Sequence, residues 1–331
     1  MKKIKIICTL GPSSFRPKIL KSLIKENIDI FRINLSHTPL NKIKDTILYL
    51  KKKKVKNICI DTEGAQLRTT NTVKKKIYFK KNSKVFLKNS DLKSNNQNIS
   101  LYPKFNFQTI KVGSIIDIGF NNLSLKVLKY LKSKNFFMCK VIKSGYLESK
   151  KGVHIHCSIK LPPLTKKDIY ALKLAKEMNI KKFAISFVNS HLDLVHVKKI
   201  IGDNSFIISK IETKNSLKNI KQIAKNSSAL LIDRGDLSRY VQIEQIPKAQ
   251  AFVIKKAKLL KKPTFVATNL LETMIKENLP TRAESHDIYA TLRQGASGLV
   301  LAAETAIGKS PLDCVKFLKR CIKVNQKPNF L

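Results

Sequence analysis

The segment "FIISKIETK", Phe206 to Lys214, governs how the rest of the chain is read. An apolar run meets Lys210 and, two positions later, Glu212. Side chains two apart on a strand share a face, and buried charges are costly unless paired or bound to something. One such stretch is accounted for by a structural ion pair. The same pattern repeated at many strand ends points to a site.

Similar apolar runs do recur: "IKIICTL" (4–10), "IDIFRIN" (28–34), "NICID" (57–61), "KKFAISF" (181–187), "FIISK" (206–210), "ALLID" (229–233), "TFVAT" (264–268) and "GLVLAAE" (298–304). They are rich in β-branched residues and apolar on both faces, as parallel strands are. Amphipathic segments lie between most of them, with helix-start signals. Thr165 with Asp168 and Thr281 with Glu284 fit capping boxes, and Ser310-Pro311 reads as an N-cap followed by proline at the first helical position. Eight strands alternating with helices predict a (β/α)8 TIM barrel.

The interval 70–159 breaks this rhythm, with short strands and polar turns such as "KKIYFKKNSKVFLKN". It is expected to be a β-rich, barrel-like lid inserted after the third strand. Segments 1–69 and 160–331 would then form the barrel, about 240 residues against the roughly 250 typical of the fold.

Bulk composition narrows the function classes. With 43% hydrophobic residues the 331-residue chain can bury a proper core. No apolar run approaches the ~20 residues that span a bilayer, so no membrane association is expected. The six cysteines include no C-x-x-C pair and read as reduced residues of a cytoplasmic protein. Lys and Arg number 65 against 22 Asp and Glu, a formal charge of +43. That field attracts anionic small substrates. The excess is spread along the chain without a basic–aromatic patch, so no specific nucleic acid is expected as partner.

The strand ends carry the chemistry, as they do in barrels of this kind: Arg32, Asn34, Ser36 and His37; Asp61 and Thr62; Lys210 and Glu212; Asp233, Arg234 and Asp236; Thr268 and Asn269; and Glu304. Glu212 and Asp236 offer hard oxygen donors suited to Mg²⁺ or Mn²⁺. Arg32 and Lys210 offer positive charge for a phosphate or a developing enolate. The turn Arg234-Gly235-Asp236 can present backbone N–H groups to an anion. Metal-assisted phosphoryl transfer is the chemistry this set supports.

Ordered segments from Lys5 to about Val315 give the chain a resemblance to the pyruvate kinase family. They include "KIICTLGPSS", "FRINLSHTP", "DTEGAQLRT", "SKKGVHIHCSIKLPPLTKKD", "ISKIET", "DRGDLS", "KPTFVATNLLETMI", "PTRAESHDI" and "AAETAIGKSPLDCV". The resemblance implies conversion of phosphoenolpyruvate and ADP to pyruvate and ATP. It makes Lys210, Thr268 and Arg32 catalytic, and it places the substrate on Arg32, Lys210, Gly235, Asp236 and Thr268. Glu212 and Asp236 would hold Mg²⁺ or Mn²⁺, and Asn34, Ser36, Asp61 and Thr62 would hold K⁺. His37, Arg68 and Lys151 would reach the nucleotide.

The pattern is broken in places. Gly119-Phe120-Asn121 stands where the family has Asp-Asp-Gly, and Ala302-Ala303 replaces Ser-Gly. Asp233 replaces a small residue, Glu63 a lysine, Ala65-Gln66 a Pro-Glu pair, and Asn269 a glutamine. These changes leave K⁺ dependence open and predict slower protonation of the enolate. The family's C-terminal domain has no counterpart before Leu331. The expectation is therefore a monomer, or a homodimer through barrel surfaces, without effector control through that domain.

Overall fold

Alternation of side chains along each strand, applied to eight apolar runs, gives a closed barrel in the computed structural model, which describes residues 3–64, 66–119, 122–157, 159 and 161–326. The barrel strands are β1 (Lys5–Leu10), β2 (Ile30–Asn34), β3 (Ile58–Asp61), β4 (Lys182–Ile185), β5 (Phe206–Ile211), β6 (Ala229–Asp233), β7 (Thr264–Ala267) and β8 (Gly298–Leu301). Each pairs in parallel with its neighbours in chain order, and β8 closes onto β1.

One residue in two faces inward. Ile7, Ile30, Cys59, Ala184, Ile208, Leu231, Phe265 and Val300, one from each strand, join one buried cluster. Their neighbours, among them Cys8, Phe31, Ile60, Phe183, Ile207, Leu230, Val266 and Leu299, pack in the larger cluster that includes the helices. Two residues beyond the inner apolar layer the same alternation brings Thr9, Arg32, Asp61, Lys210 and Asp233 into the next layer. The polar ring is thus a direct consequence of strand period. β8 ends at Leu301, short of the run to Glu304 read from the sequence, because Ala302 leaves the extended region (φ −105°, ψ −97°) and a short helix, Ala303–Ala306, follows.

Helix starts follow the side chains predicted for them. Thr165 and Asp168 form a reciprocal capping box on the helix Lys166–Glu177, and Thr281 and Glu284 do the same for Arg282–Arg293. Asp168 is fully buried, and it also accepts the backbone N–H groups of Glu63 and Gly64 at 2.7 and 3.0 Å. That contact fixes the chain just beyond β3. Pro311 opens the helix Pro311–Gln326.

The chain divides into two compact units, Met1–Gly64 with Pro163–Leu331, and Ala65–Pro162. In the second unit seven strands run in the order Val153–Ile155, Ile115–Ile118, Leu123–Leu131, Phe136–Lys143, Lys84–Lys88, Asn98–Tyr102, Arg68–Thr69. An isolated bridge between Arg68 and Gly152 joins the two ends, so this sheet is nearly closed. Its own core includes Leu67, Phe79, Leu87, Leu101, Ile116, Leu125 and Phe137. Ala65, Phe120 and Asn121, singled out as departures above, and the boundary residue Lys160 lie outside the described residues.

All six cysteines are free thiols, four of them buried. Burial pushes Cys8 and Cys59 up to about 12, so neither is a reactive thiolate near neutrality. Phe265 is the largest side chain of the barrel's inner layer and is fully buried. Phe265→Ala is expected to cost about 3–5 kcal/mol, read as a lowered urea midpoint of the barrel transition. An unchanged midpoint would contradict this packing.

Candidate active site

Lys210 is where the polar ring converges. It ends an apolar run on β5, faces inward with Ile208, and is only 5% exposed. Its Nζ lies 2.9 Å from Glu212 Oε1, 3.5 Å from Asp61 Oδ1 and 3.5 Å from Asp233 Oδ2. It also donates to Ser186 Oγ at 3.0 Å. Ser186 is held in turn, donating to the carbonyl of Thr62 at 2.7 Å while Thr62 Oγ1 accepts its N–H at 2.9 Å. The ammonium is therefore fixed from four sides.

Arg32, on the inner face of β2, is 3% exposed. Its Nε donates to Thr9 Oγ1 at 2.8 Å and its Nη1 contacts Asp61 Oδ2 at 3.1 Å. Asp61 thereby joins the two cations of the ring. Glu212 is fully buried, and its Oε2 accepts the N–H of Phe187 at 2.6 Å. Phe187 adopts a left-handed backbone (φ 53°) to point that N–H inward. A bulky residue rarely adopts this conformation, and here it accompanies the hydrogen bond to Glu212. Asp233 Oδ1 accepts the Thr268 hydroxyl at 2.6 Å and the Asp236 N–H at 3.4 Å, capping the turn Arg234–Leu237. Asp236 pairs with Arg239 at 3.3 Å.

Thr268 and Asn269 both take left-handed backbone angles, φ 80° and 57°, and the guanidinium of Arg234 reaches the Thr268 carbonyl while gripping Asp287. Gly235 is required by this approach. A Cβ there would stand 2.9 Å from Thr268 Cγ2, closer than carbon atoms tolerate.

Carboxylate oxygens of Glu212, Asp233 and Asp236 all lie within 4.8 Å of one another. Glu212 Oε1 is buried, and its one partner among the described residues is the Lys210 ammonium at 2.9 Å. Hard oxygen donors at this spacing, one of them fully buried, fit a divalent cation such as Mg²⁺ or Mn²⁺.

The charges bias one another. Burial raises the Glu212 carboxyl to about 8; Lys210 pulls against that shift, and Asp236 and Asp233 reinforce it. For Lys210, burial disfavours the ammonium form, but Asp61, Glu212, Asp233 and Asp236 outweigh it and hold its pKa well above the ordinary lysine value. Asp233 is likewise pushed up by burial, yet Lys210, the Thr268 hydroxyl and Arg32 bring it below the usual carboxylate range.

Other residues singled out in the sequence have the following local surroundings. Asn34 is the register partner of Asp61 across β2 and β3, but its side chain accepts the Ser36 N–H at 2.9 Å. His37 and Ser36 are exposed. Arg68 and Lys151 belong to the second unit, where Arg68 donates to the Lys150 carbonyl and Lys151 pairs with Glu148 at 2.8 Å. Glu304 is buried and accepts the N–H groups of Ala302 and Leu271, a structural cap. Sequence reasoning missed Thr9, on β1, and Ser186, one residue past the end of β4; each lies two residues beyond an inward-facing residue, so strand alternation was the available signal.

Residues 1–315 match the family model described as pyruvate kinase, barrel domain. The pyruvate kinase of Thermotoga maritima is 33% identical, covering 99% of this chain and 72% of the relative. That of Staphylococcus saprophyticus is 30% identical over 96% of this chain, and that of Agrobacterium vitis 28% over 98%. The chain spans 56% and 69% of the length of these two. Among the described residues no helix is long and apolar enough to cross a membrane.

Without a divalent cation, the folded protein keeps a proton on Glu212 up to about pH 8, whereas the free carboxyl releases it near 4.5. The folded state binds more protons between those values, so stability falls as pH rises through that window. In EDTA the Tm is expected to decline across it, and Glu212→Gln to decline less. Equal slopes for the two proteins would contradict the assigned burial.

Proposed function

The chain belongs to the pyruvate kinase family, and from that premise we propose that it transfers the phosphoryl group of phosphoenolpyruvate to ADP, giving pyruvate and ATP. The observation that carries this reading is the convergence of Lys210 with Glu212 and Asp236 beside Arg32 at the ends of the barrel strands.

In this reading the bond between phosphorus and the enol oxygen breaks while a new one forms to a terminal phosphate oxygen of ADP. Lys210, held by Ser186 and the carboxylates around it, neutralises the transferring phosphoryl oxygens and the enolate oxygen. It does so as a pre-oriented charge, with no reorganisation during reaction. Arg32 is braced by Asp61 and Thr9 and presents its remaining N–H donors to phosphate. Backbone N–H groups at Gly235 and Asp236, together with Thr268, are assigned to the substrate carboxylate, for which the Asp236 N–H and the Thr268 hydroxyl exchange their present acceptor, Asp233. A bound Mg²⁺ or Mn²⁺, held by Glu212 and Asp236, supplies Lewis-acid charge for the substrate oxygens. The enolate carbon then takes a proton near Thr268, whose hydroxyl donates to Asp233 in this structure. Position 302 offers only a methyl group where the family places a hydroxyl. His37, Arg68 and Lys151 are assigned to the nucleotide, and Asn34, Ser36, Asp61 and Thr62 to K⁺.

Purified protein is expected to form ATP from phosphoenolpyruvate and ADP only when Mg²⁺ or Mn²⁺ is supplied. Lys210→Met should lower that rate by roughly a hundredfold to a thousandfold. A coupled assay run with and without K⁺ tests both the reaction and the monovalent site. Binding of phosphoenolpyruvate without any transfer, in metal-replete protein, would replace this reading with that of a barrel that holds the phosphorylated acid and does not react it.

A further inference from the structure

The sharing of positive charge around the ring is uneven. Asp61 has Arg32 at 3.1 Å, and Asp236 has Arg239 at 3.3 Å. Glu212 and Asp233 both lie against the Lys210 ammonium, at 2.9 and 3.5 Å, which Asp61 also approaches at 3.5 Å. Glu212 is fully buried, and its Oε1 has no partner among the described residues besides the Lys210 ammonium at 2.9 Å. Asp233 uses Oδ1 for Thr268 and the Asp236 N–H, while its Oδ2 lies toward Lys210. Oxygens of Glu212, Asp233 and Asp236 meet within 4.8 Å.

We propose that Asp233 is a third carboxylate ligand of the divalent cation and strengthens its binding in the absence of substrate. The proposal rests on the phosphotransfer reading only in placing the ion beside Glu212 and Asp236. Sites that keep one or two carboxylates rely on substrate oxygens to complete the shell of Mg²⁺. A third carboxylate adds both a donor and a full negative charge, and cation affinity rises with the ligand charge count. The same residue sets the geometry around it. Its Oδ1 fixes the Thr268 hydroxyl and caps the turn that presents Asp236, so cation, threonine and turn are organised by one side chain.

Titration with Mn²⁺ alone tests this, following free Mn²⁺ by electron paramagnetic resonance and heat by calorimetry, in protein freed of metal and without substrate. Asp233→Asn keeps an oxygen for Thr268 and for the cap but removes the charge. It is expected to weaken Mn²⁺ binding by about tenfold or more, with an unchanged far-ultraviolet circular dichroism spectrum in EDTA confirming the fold. Asp233→Ala should weaken it at least as much, and Glu212→Gln should abolish it. Equal Mn²⁺ affinity in Asp233→Asn and the unsubstituted protein would overturn the proposal and leave a structural cap, with the phosphotransfer reading intact. Absence of Mn²⁺ binding by the unsubstituted protein overturns it as well. Failure of that protein to form ATP from phosphoenolpyruvate would instead sink the phosphotransfer reading, whatever the Mn²⁺ titrations show.

Discussion

One buried ammonium holds the carboxylate ring together. Lys210 stands within 3.5 Å of Asp61, Glu212 and Asp233, all on strands or strand ends that alternation turns inward. Removing one partner of a buried charge cluster leaves the others uncompensated, a cost of several kcal/mol. The ring persists because its members are mutually braced: Ser186 and Thr62 hold the lysine, Thr9 and Asp61 hold Arg32, and Phe187 holds Glu212. Charges arranged this way meet an incoming anion without reorganising, which is the property phosphoryl transfer demands.

The barrel was legible because its strands are apolar on both faces and evenly interrupted by capped helices. Thr165 and Thr281 announced their helices by side-chain chemistry that acts within four residues, and local signals of that kind survive in a one-dimensional string. Lys210 and Glu212 were legible for the same reason, since two-residue spacing is local. What the string does not carry is the partner chosen across strands. Asp61 reads as a cation ligand by type, and only the fold shows its contacts with Arg32 and Lys210. Ser186 and Thr9 are chemically quiet residues whose importance comes only from what they touch. The end of β8 was read too long because "AAE" continues the apolar pattern, and only the turn of the backbone at Ala302 shows the break.

Asp233 illustrates how a substitution changes meaning with context. By type it adds a negative charge next to an acidic pair, which taken alone weakens an anion site. In the fold it accepts the Thr268 hydroxyl, caps the Arg234–Leu237 turn and faces Lys210. The added charge is thus placed where an ammonium already stands and where hard oxygen donors gather. Gly235 belongs to the same unit of design, because only a residue without a Cβ lets the turn approach Thr268 this closely.

The central claim is spatial: a divalent cation sits in the polar ring, next to Lys210. Diffraction data collected at the manganese absorption edge, from crystals grown with Mn²⁺ and phosphoenolpyruvate, address it directly. The account predicts an anomalous peak about 2.1 Å from carboxylate oxygens of Glu212 and Asp236, with the Lys210 side chain still turned inward beside it. A peak confined to the protein surface, or an ion held without either carboxylate, would contradict it.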